Sequence, residues 1–318
     1  MIRYLFYRFL LMFLVLFVIV TFIHIMSTIF TIRQYTHAPY DLTFEFSVAY
    51  TRYIAYIKGI FTENYWGVVG SNDIPVWTFL VPHIKITLIL NAIAFLIYVS
   101  LGIILGMIAS LNKGKLADKV IYLSTMIPGS IPHFFLVFIL IIYLGVRMRV
   151  LPAQFPGFTD DMALNIKGMI IPLVALSFPP MFKFMNIVRG EFNETANDSY
   201  LIICRTKGLT NFQTTMRHRI KNSILPIIPE LTPTFLYVLT GSFFIEIIYG
   251  IPGSARLLFR SLMQPVDEAY FVAINSTMAV SLTIFYAGMA MIFALIIDMI
   301  YFTVDPRIKI GSKKTETT

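Results

Sequence analysis

Residues 197–228 read NDSYLIICRTKGLTNFQTTMRHRIKNSILPII, a polar and basic island in a chain that is otherwise strongly apolar. Asn197, Asp198 or Ser199 supplies a side-chain oxygen able to cap a helix N-terminus. Tyr200 to Lys207 give about two helical turns, and Gly208 tolerates the left-handed conformation that follows a helix end. Thr210 with Gln213 three residues later fits a capping box and opens a second helix, which carries Arg217, Arg219 and Lys221 toward Leu225-Pro226. The stretch therefore reads helix, glycine turn, helix. On the short helix Tyr200, Ile203 and Cys204 fall on one side by i, i+3, i+4 spacing. So short a helix is not stable in isolation, and its apolar side needs cover. A groove on a partner, the lipid headgroups or the chain's own helices could each provide it.

The surroundings of the island set the fold class. Hydrophobic residues make up 57% and charged residues 13% of the chain, and the mean hydropathy is +0.76. A soluble domain carries roughly 25% charged residues. Apolar runs long enough to cross about 30 Å of hydrocarbon, which takes about 20 helical residues, lie at Leu5–Phe30, Ile84–Ser110, Val120–Leu144, Met169–Ile187, Ile224–Tyr249 and Ser276–Phe302. They predict an all-α polytopic membrane protein with six transmembrane helices. The first run follows Arg3 and Arg8 as a signal peptide would. It is too long for one and lacks an AxA-like cleavage site, so it is expected to remain as the first helix.

Charge orients these spans. With both termini inside, the cytosolic segments hold 15 bases against six acids, and the outer segments hold nine bases against eight acids. The positive-inside rule thus predicts cytosolic termini. The surplus behind the net charge of +8 flanks membrane segments, where it sets topology and meets anionic lipid, so nucleic acid is not an expected partner. The expected organisation is an N-terminal transmembrane helix over 1–30 and an extracytoplasmic segment over 31–82. A transmembrane core over 83–304 follows, including a cytosolic loop over 188–223, and the tail over 305–318 is cytosolic. The extracytoplasmic segment mixes Tyr50, Tyr53, Tyr56, Tyr65 and Trp66 with Asn, Gly and Asp, and is expected to be ordered against the outer face or a partner.

Catalytic chemistry finds no footing. Gly114-Lys115-Leu116 lacks the first glycine and the hydroxyl residue of a nucleotide-binding loop, and GSKKT in the tail has the wrong order. The five histidines show no metal-ligand spacing, and the single cysteine, Cys204, reads as a small packing residue. No cofactor or metal site is expected. Ionisable residues inside spans are costly in lipid, which draws attention to Lys183, Glu230, Glu246 and Asp298. Lys183 and Asp298 read as anchors at the inner interface. Prolines at 128, 132, 172, 179, 180, 226, 229 and 233 fall in or near spans, and broken helices suit a moving path.

Three motifs in order make a family likeness specific. SYLIICRTKGL followed by RHRIKNSILP resembles the pattern DYIRTAKAKGL followed by RHAIRNALLP. GSFFIEIIYGIPGSARLLF over 241–259 resembles GSFIIE-x-x-FGIPGLG, and Asp305-Pro306-Arg307-Ile308 matches a C-terminal DPRI. The chain is thereby similar to the B-type permease subunits of the oligopeptide/dipeptide branch of binding-protein-dependent ABC importers. The likeness covers most of the chain from about residue 75 and weakly extends to the N-terminus. It departs from the branch where Ile202, Ile203 and Cys204 replace Glu-Ala-Ala, where Ala255 replaces a glycine, and where TIFTIRQYTHAPYD follows the first span in place of a Pro-Gly-Asp-Pro-like sequence.

The resemblance implies a type I importer core with a cytosolic coupling helix. It implies a non-catalytic subunit that pairs with a second permease, receives two cytosolic ATP-binding subunits, and takes substrate from an extracytoplasmic binding protein at a bacterial plasma membrane. Tyr200, Ile203, Cys204, Arg205, Lys207, Gly208 and Leu209 become the expected ATPase-coupling residues. Glu230, Glu246, Pro252 and Gly253 become candidates for the translocation path or gate. Glu246 reads equally as a structural partner at the outer end of its span. Peptides are the expected substrate, with nickel, glutathione or another small solute as alternatives within the branch. An ion-coupled secondary transporter is the rival from another class, although it should show paired intramembrane carboxylates. A membrane scaffold is the third.

Overall fold

The computed structural model describes residues 2–36, 41–69, 73–126, 128–195, 199–262, 264–266, 271–273 and 276–304. The first apolar run forms α1 (Ile2–Thr36), whose large apolar side chains, Phe6, Phe9, Phe13 and Phe17 among them, are exposed as lipid contact demands. The segment after it, expected to be extracytoplasmic, contains a long helix that the sequence pattern did not disclose, α2 (Leu42–Glu63). Asp41 caps it, accepting from the Thr43 N–H at 3.0 Å and the Phe44 N–H at 3.1 Å, and Asn64 closes it at φ 52°. Its buried side faces α1, where the Tyr53 hydroxyl lies 2.6 Å from Thr21 Oγ1 and the Tyr53 ring meets His24. A two-residue hairpin of β1 (Val68–Val69) and β2 (Ile74–Pro75) leads into α3 (Val76–Leu111).

The predicted third span is not one helix. α4 (Leu116–Met126) stops ahead of a 3-10 turn at Pro128–Ser130. α5 (His133–Leu140) starts after Pro132, whose carbonyl accepts from the Phe135 and Leu136 amides, and it continues as a π-helical turn over Ile141–Arg147. Proline has no amide to donate and pushes the residue before it out of helical conformation. Pro128 and Pro132 thus cut a run that hydropathy alone joins. The chain continues through α6 (Met162–Thr195), α7 (Ser199–Thr206), α8 (Asn211–Thr214), a π-helical turn Thr215–Arg219, α9 (Ile220–Tyr249), α10 (Ser254–Leu262), a hairpin of β3 (Gln264–Val266) and β4 (Phe271–Ala273), and α11 (Ser276–Val304). Five stretches are long and apolar enough to cross a membrane: Phe6–Ile32, Val76–Leu111, Met162–Thr195, Phe212–Tyr249 and Ser276–Val304. The protein is all-α and polytopic, and the run expected as the third span is divided between α4 and α5.

Two compact units share these helices. One comprises Met1–Thr87 and Pro252–Ile292. Its core gathers Val76, Leu80, Ile84, Leu257, Met278 and Leu282. There Thr87 Oγ1 accepts from the Ser254 amide and hydroxyl, both at 2.9 Å, pinning the start of α10 to α3.

The other unit comprises Leu88–Ile251 and Phe293–Ile308. Here α6 packs along α9, and α5 packs on both. Pro179 has no amide to offer the Ala175 carbonyl four residues back, and His133 of α5 supplies the missing donor through Nδ1 at 2.9 Å. The same imidazole lies against Gly241, where an added Cβ would come within 2.8 Å of its Cγ. The glycine that opens the GSFFIE segment is thus a close-approach residue. Gly106 has a comparable role, since a Cβ there would sit 2.7 Å from Val188 Cβ.

Candidate functional site

The connection between α6 and α9 belongs entirely to the second unit. The capping candidates Asn197 and Asp198 lie outside the described residues, and α7 begins at Ser199. At its other end Gly208 adopts φ 76°. The Lys207 amide donates to the Ile203 carbonyl at 3.1 Å, and the Leu209 amide donates to the Cys204 carbonyl at 3.2 Å. The second bond is the six-to-one closure of a Schellman motif, the arrangement that leaves a glycine at the left-handed position. The capping box also forms, with Gln213 N–H donating to Thr210 Oγ1 at 3.2 Å and Thr210 N–H donating to Gln213 Oε1 at 3.1 Å. Helix, glycine turn and helix follow in the expected order.

The faces of α7 divide differently from the expected pattern. Cys204 is buried beside Leu201, whereas Ile203 is 56% and Ile202 63% exposed. Ile203 and Cys204 therefore do not share an environment, and the helix turns an isoleucine pair outward while Leu201 and Cys204 hold it to the protein. Phe212, 72% exposed, adds to the uncovered apolar surface of the connection. Lys207 and Gly208 are exposed, and Leu209 is half-buried. The side chains of Tyr200 and Arg205 lie outside the described residues.

The root of the connection is built the opposite way. Arg217 and His218 are exposed, but the next basic residue, Arg219, is buried. Its guanidinium donates from Nε to the Phe192 carbonyl at 3.1 Å and also from Nη2 to the same oxygen, while Nη2 donates to Ser110 Oγ at 2.7 Å. Ser110 passes its own proton to Asn193 Oδ1 at 3.0 Å. Nearby, Thr195 Oγ1 and Ser223 Oγ are 2.7 Å apart and tie the end of α6 to the start of α9. A second clamp joins α4 to α6: Arg189 donates to both oxygens of Asp118, from Nε at 2.7 Å and from Nη2 at 3.1 Å, and stacks over Tyr122. The Gly114 amide donates to Asp118 Oδ2 at 2.9 Å. These bonds, the Arg189 pair foremost, hold the Asp118 carboxyl below the usual carboxylate range. Both clamps escaped the sequence reading, which counted Arg189, Arg219 and Asp118 as topology charges.

The two expected path carboxylates of α9 lie well apart. Glu246 is fully buried in α9, and Glu230 is exposed on the same helix sixteen residues earlier, about 24 Å along its axis. Pro252 and Gly253 follow the left-handed Gly250 that ends α9 and precede α10 in the other unit. Lys183 is exposed on α6, with Nζ 5.9 Å from the centre of the Tyr237 ring.

Residues 102–310 match the family described as the binding-protein-dependent transport system inner membrane component. The chain belongs to that family. The match takes in the whole α6–α9 connection and the GSFFIE segment, and reaches the DPRI sequence at 305–308, which lies outside the described residues. Among similar proteins, the dipeptide transport system permease protein DppB of Lactococcus lactis is 28% identical over 81% of this chain and 80% of its own length. Bacillus subtilis DppB is 28% identical over 89% and 84%. The oligopeptide transport system permease protein OppB of Salmonella typhimurium is 27% identical over 81% and 80%. As a member of this family the protein is a multi-pass transport component of the membrane with the type I permease domain.

Proposed function

We propose that this chain is a permease subunit of an ATP-driven importer that takes up peptides. It pairs with a second permease, receives substrate from an extracytoplasmic binding protein, and is driven by two cytosolic ATP-binding subunits. The observation that carries the reading is α7 itself: a short helix closed by Gly208 that turns Ile202 and Ile203 outward, within the part of the chain that matches the family. Exposed apolar pairs of this kind mark contact surfaces, and a partner groove covers them at a free-energy gain of about 25 cal/mol per Å². The names of the DppB and OppB relatives support peptide as the cargo.

Both termini face the cytosol in this reading, which puts α7 on the side where ATP is hydrolysed. Closure of the ATPases displaces α7, and the helices that follow switch the cavity between faces. Glu230 and Lys183 are exposed on helices that cross the bilayer. In lipid each would cost about 2.5–3.5 kcal/mol on insertion scales, so their faces belong to a wet path or to the second permease. Glu246 of α9 belongs to the outer gate in this reading.

The test is reconstitution of the complete complex in proteoliposomes with labelled di-, tri- and hexapeptides. ATP-dependent uptake that also requires the binding protein is the expected result. Purification of this chain alone with uptake intact would remove the ABC reading, and ATP-driven uptake that excludes every peptide would remove the substrate.

A further inference from the structure

We propose that Arg219 is a positioning residue that carries displacement of the α7–α8 loop into the ends of α3 and α6; the proposal rests on the ATPase-docking reading above. The loop rejoins the membrane helices through α8, the π-helical turn Thr215–Arg219 and α9. A lever of that form needs a fastening where it enters the core, or its motion is absorbed by bending at the π-helical turn, where the regular hydrogen-bond ladder is interrupted. Arg219 closes that turn and is the member of the Arg217-His218-Arg219 run that points inward.

Its acceptors are chosen by helix physics. The Phe192 carbonyl lies among the last four of α6, which have no intrahelical amide to receive, and Ser110 lies in the last turn of α3. Both stand at the negative ends of helix dipoles, where a cation is favoured. A planar guanidinium reaches the two acceptors together, which the single ammonium point of lysine does not do in a fixed geometry. Because the Ser110 hydroxyl accepts from Arg219 and donates to Asn193, three helix ends form one directed chain of bonds. Arg219 stands where the RHAIRNALLP pattern that this chain resembles has alanine.

Hydrogen exchange on the complete complex, with and without ATP and vanadate, tests the proposal. In the unmodified complex, nucleotide changes exchange over 199–214 and also at 106–112 and 189–195. Arg219→Ala keeps the first response and loses most of the second. It raises the ATP hydrolysed per molecule transported by about fivefold, and Arg219→Lys falls between. A merely structural role would lower hydrolysis and transport together, leaving their ratio unchanged. Wild-type responses at both helix ends in Arg219→Ala overturn the proposal alone. A wild-type 199–214 segment that ignores nucleotide overturns the docking reading and the proposal with it. Should Arg219→Ala fail to assemble, Ser110→Ala decides: it must silence 106–112 while 189–195 still responds, and an unchanged 106–112 response is the refuting result.

Discussion

The two ends of the α6–α9 connection handle polarity in opposite ways. At α7, apolar Ile202 and Ile203 face outward and the helix is held by Leu201 and Cys204. At the root, the cation of Arg219 turns inward onto helix-end acceptors while its basic neighbours stay wet. Ordinary surface physics would reverse both, because apolar groups gain by burial and charges by hydration. An inverted surface at one end and an inverted core at the other suit a segment that is gripped from outside and fastened inside. The local caps at Gly208 and Thr210 close the turn between α7 and α8.

The widest break in that contrast comes from Ile202→Asp together with Ile203→Asp. Central apolar anchors of an interface cost about 2–4 kcal/mol each when lost. Co-purification with the ATP-binding subunits should therefore fall by about 100-fold or more while membrane insertion stays normal. Retention of the ATPases by this double variant would show that α7 is not their contact. A smaller effect is expected from Gly208→Val. A β-branched residue at a left-handed position costs about 1–2 kcal/mol, which unravels the Schellman closure without touching the root. Insertion and assembly persist, and uptake per ATP hydrolysed drops about tenfold. Wild-type coupling in that variant would mean the end of α7 need not be fixed.

What could be read from sequence follows the range of the interactions involved. Gly208 and the Thr210–Gln213 box were legible because each cap is completed within a few residues of itself. The burial of Arg219 was not, since its partners Phe192 and Ser110 lie 27 and 109 residues away. Counting charges set it among the bases flanking a span, and no local pattern separates it from exposed Arg217. α2 was missed for a related reason. Its buried positions, Ala49 and Tyr53, keep helical spacing, but aromatic side chains are scattered over both faces, and the Asp41 cap lies next to residues without periodicity. In the predicted third span the prolines were visible, but continuous hydropathy outweighed them. Glu230 and Glu246 were rightly placed on one helix, sixteen residues apart.

The Asp118–Arg189 clamp sharpens the fastened side of the comparison. Asp118→Asn keeps shape but removes the charge, and should destabilise the purified protein by about 1–2 kcal/mol at pH 7. The carboxyl's native titration point lies below the usual carboxylate range, with the Arg189 hydrogen bond as the largest cause. Its stabilisation is therefore complete above the unfolded value and is lost as pH falls through the lower native one. Thermal unfolding of wild type and variant should differ at neutral pH and converge once the pH falls below the usual carboxylate range. A gap between them that stays constant across that range would show that the charge of Asp118 contributes nothing.

The finest distinction lies at Thr210, where the gripped and fastened halves meet. Thr210→Ala removes the acceptor for the Gln213 amide, while the Gln213 side chain can still accept from the residue 210 amide, so half of the box survives. Loss of an N-cap hydroxyl costs about 1 kcal/mol, and for an exposed cap on a four-residue helix the lower part of that range applies. Such a cost should fray α8 without releasing Arg219. Hydrogen exchange at 211–214 is expected to accelerate about threefold, while exchange at 189–195 stays as in wild type. If the α6 end loosened by the same factor, the cap and the fastening would be a single cooperative unit, and the contrast between the two ends of the connection would reduce to one structure seen from two sides.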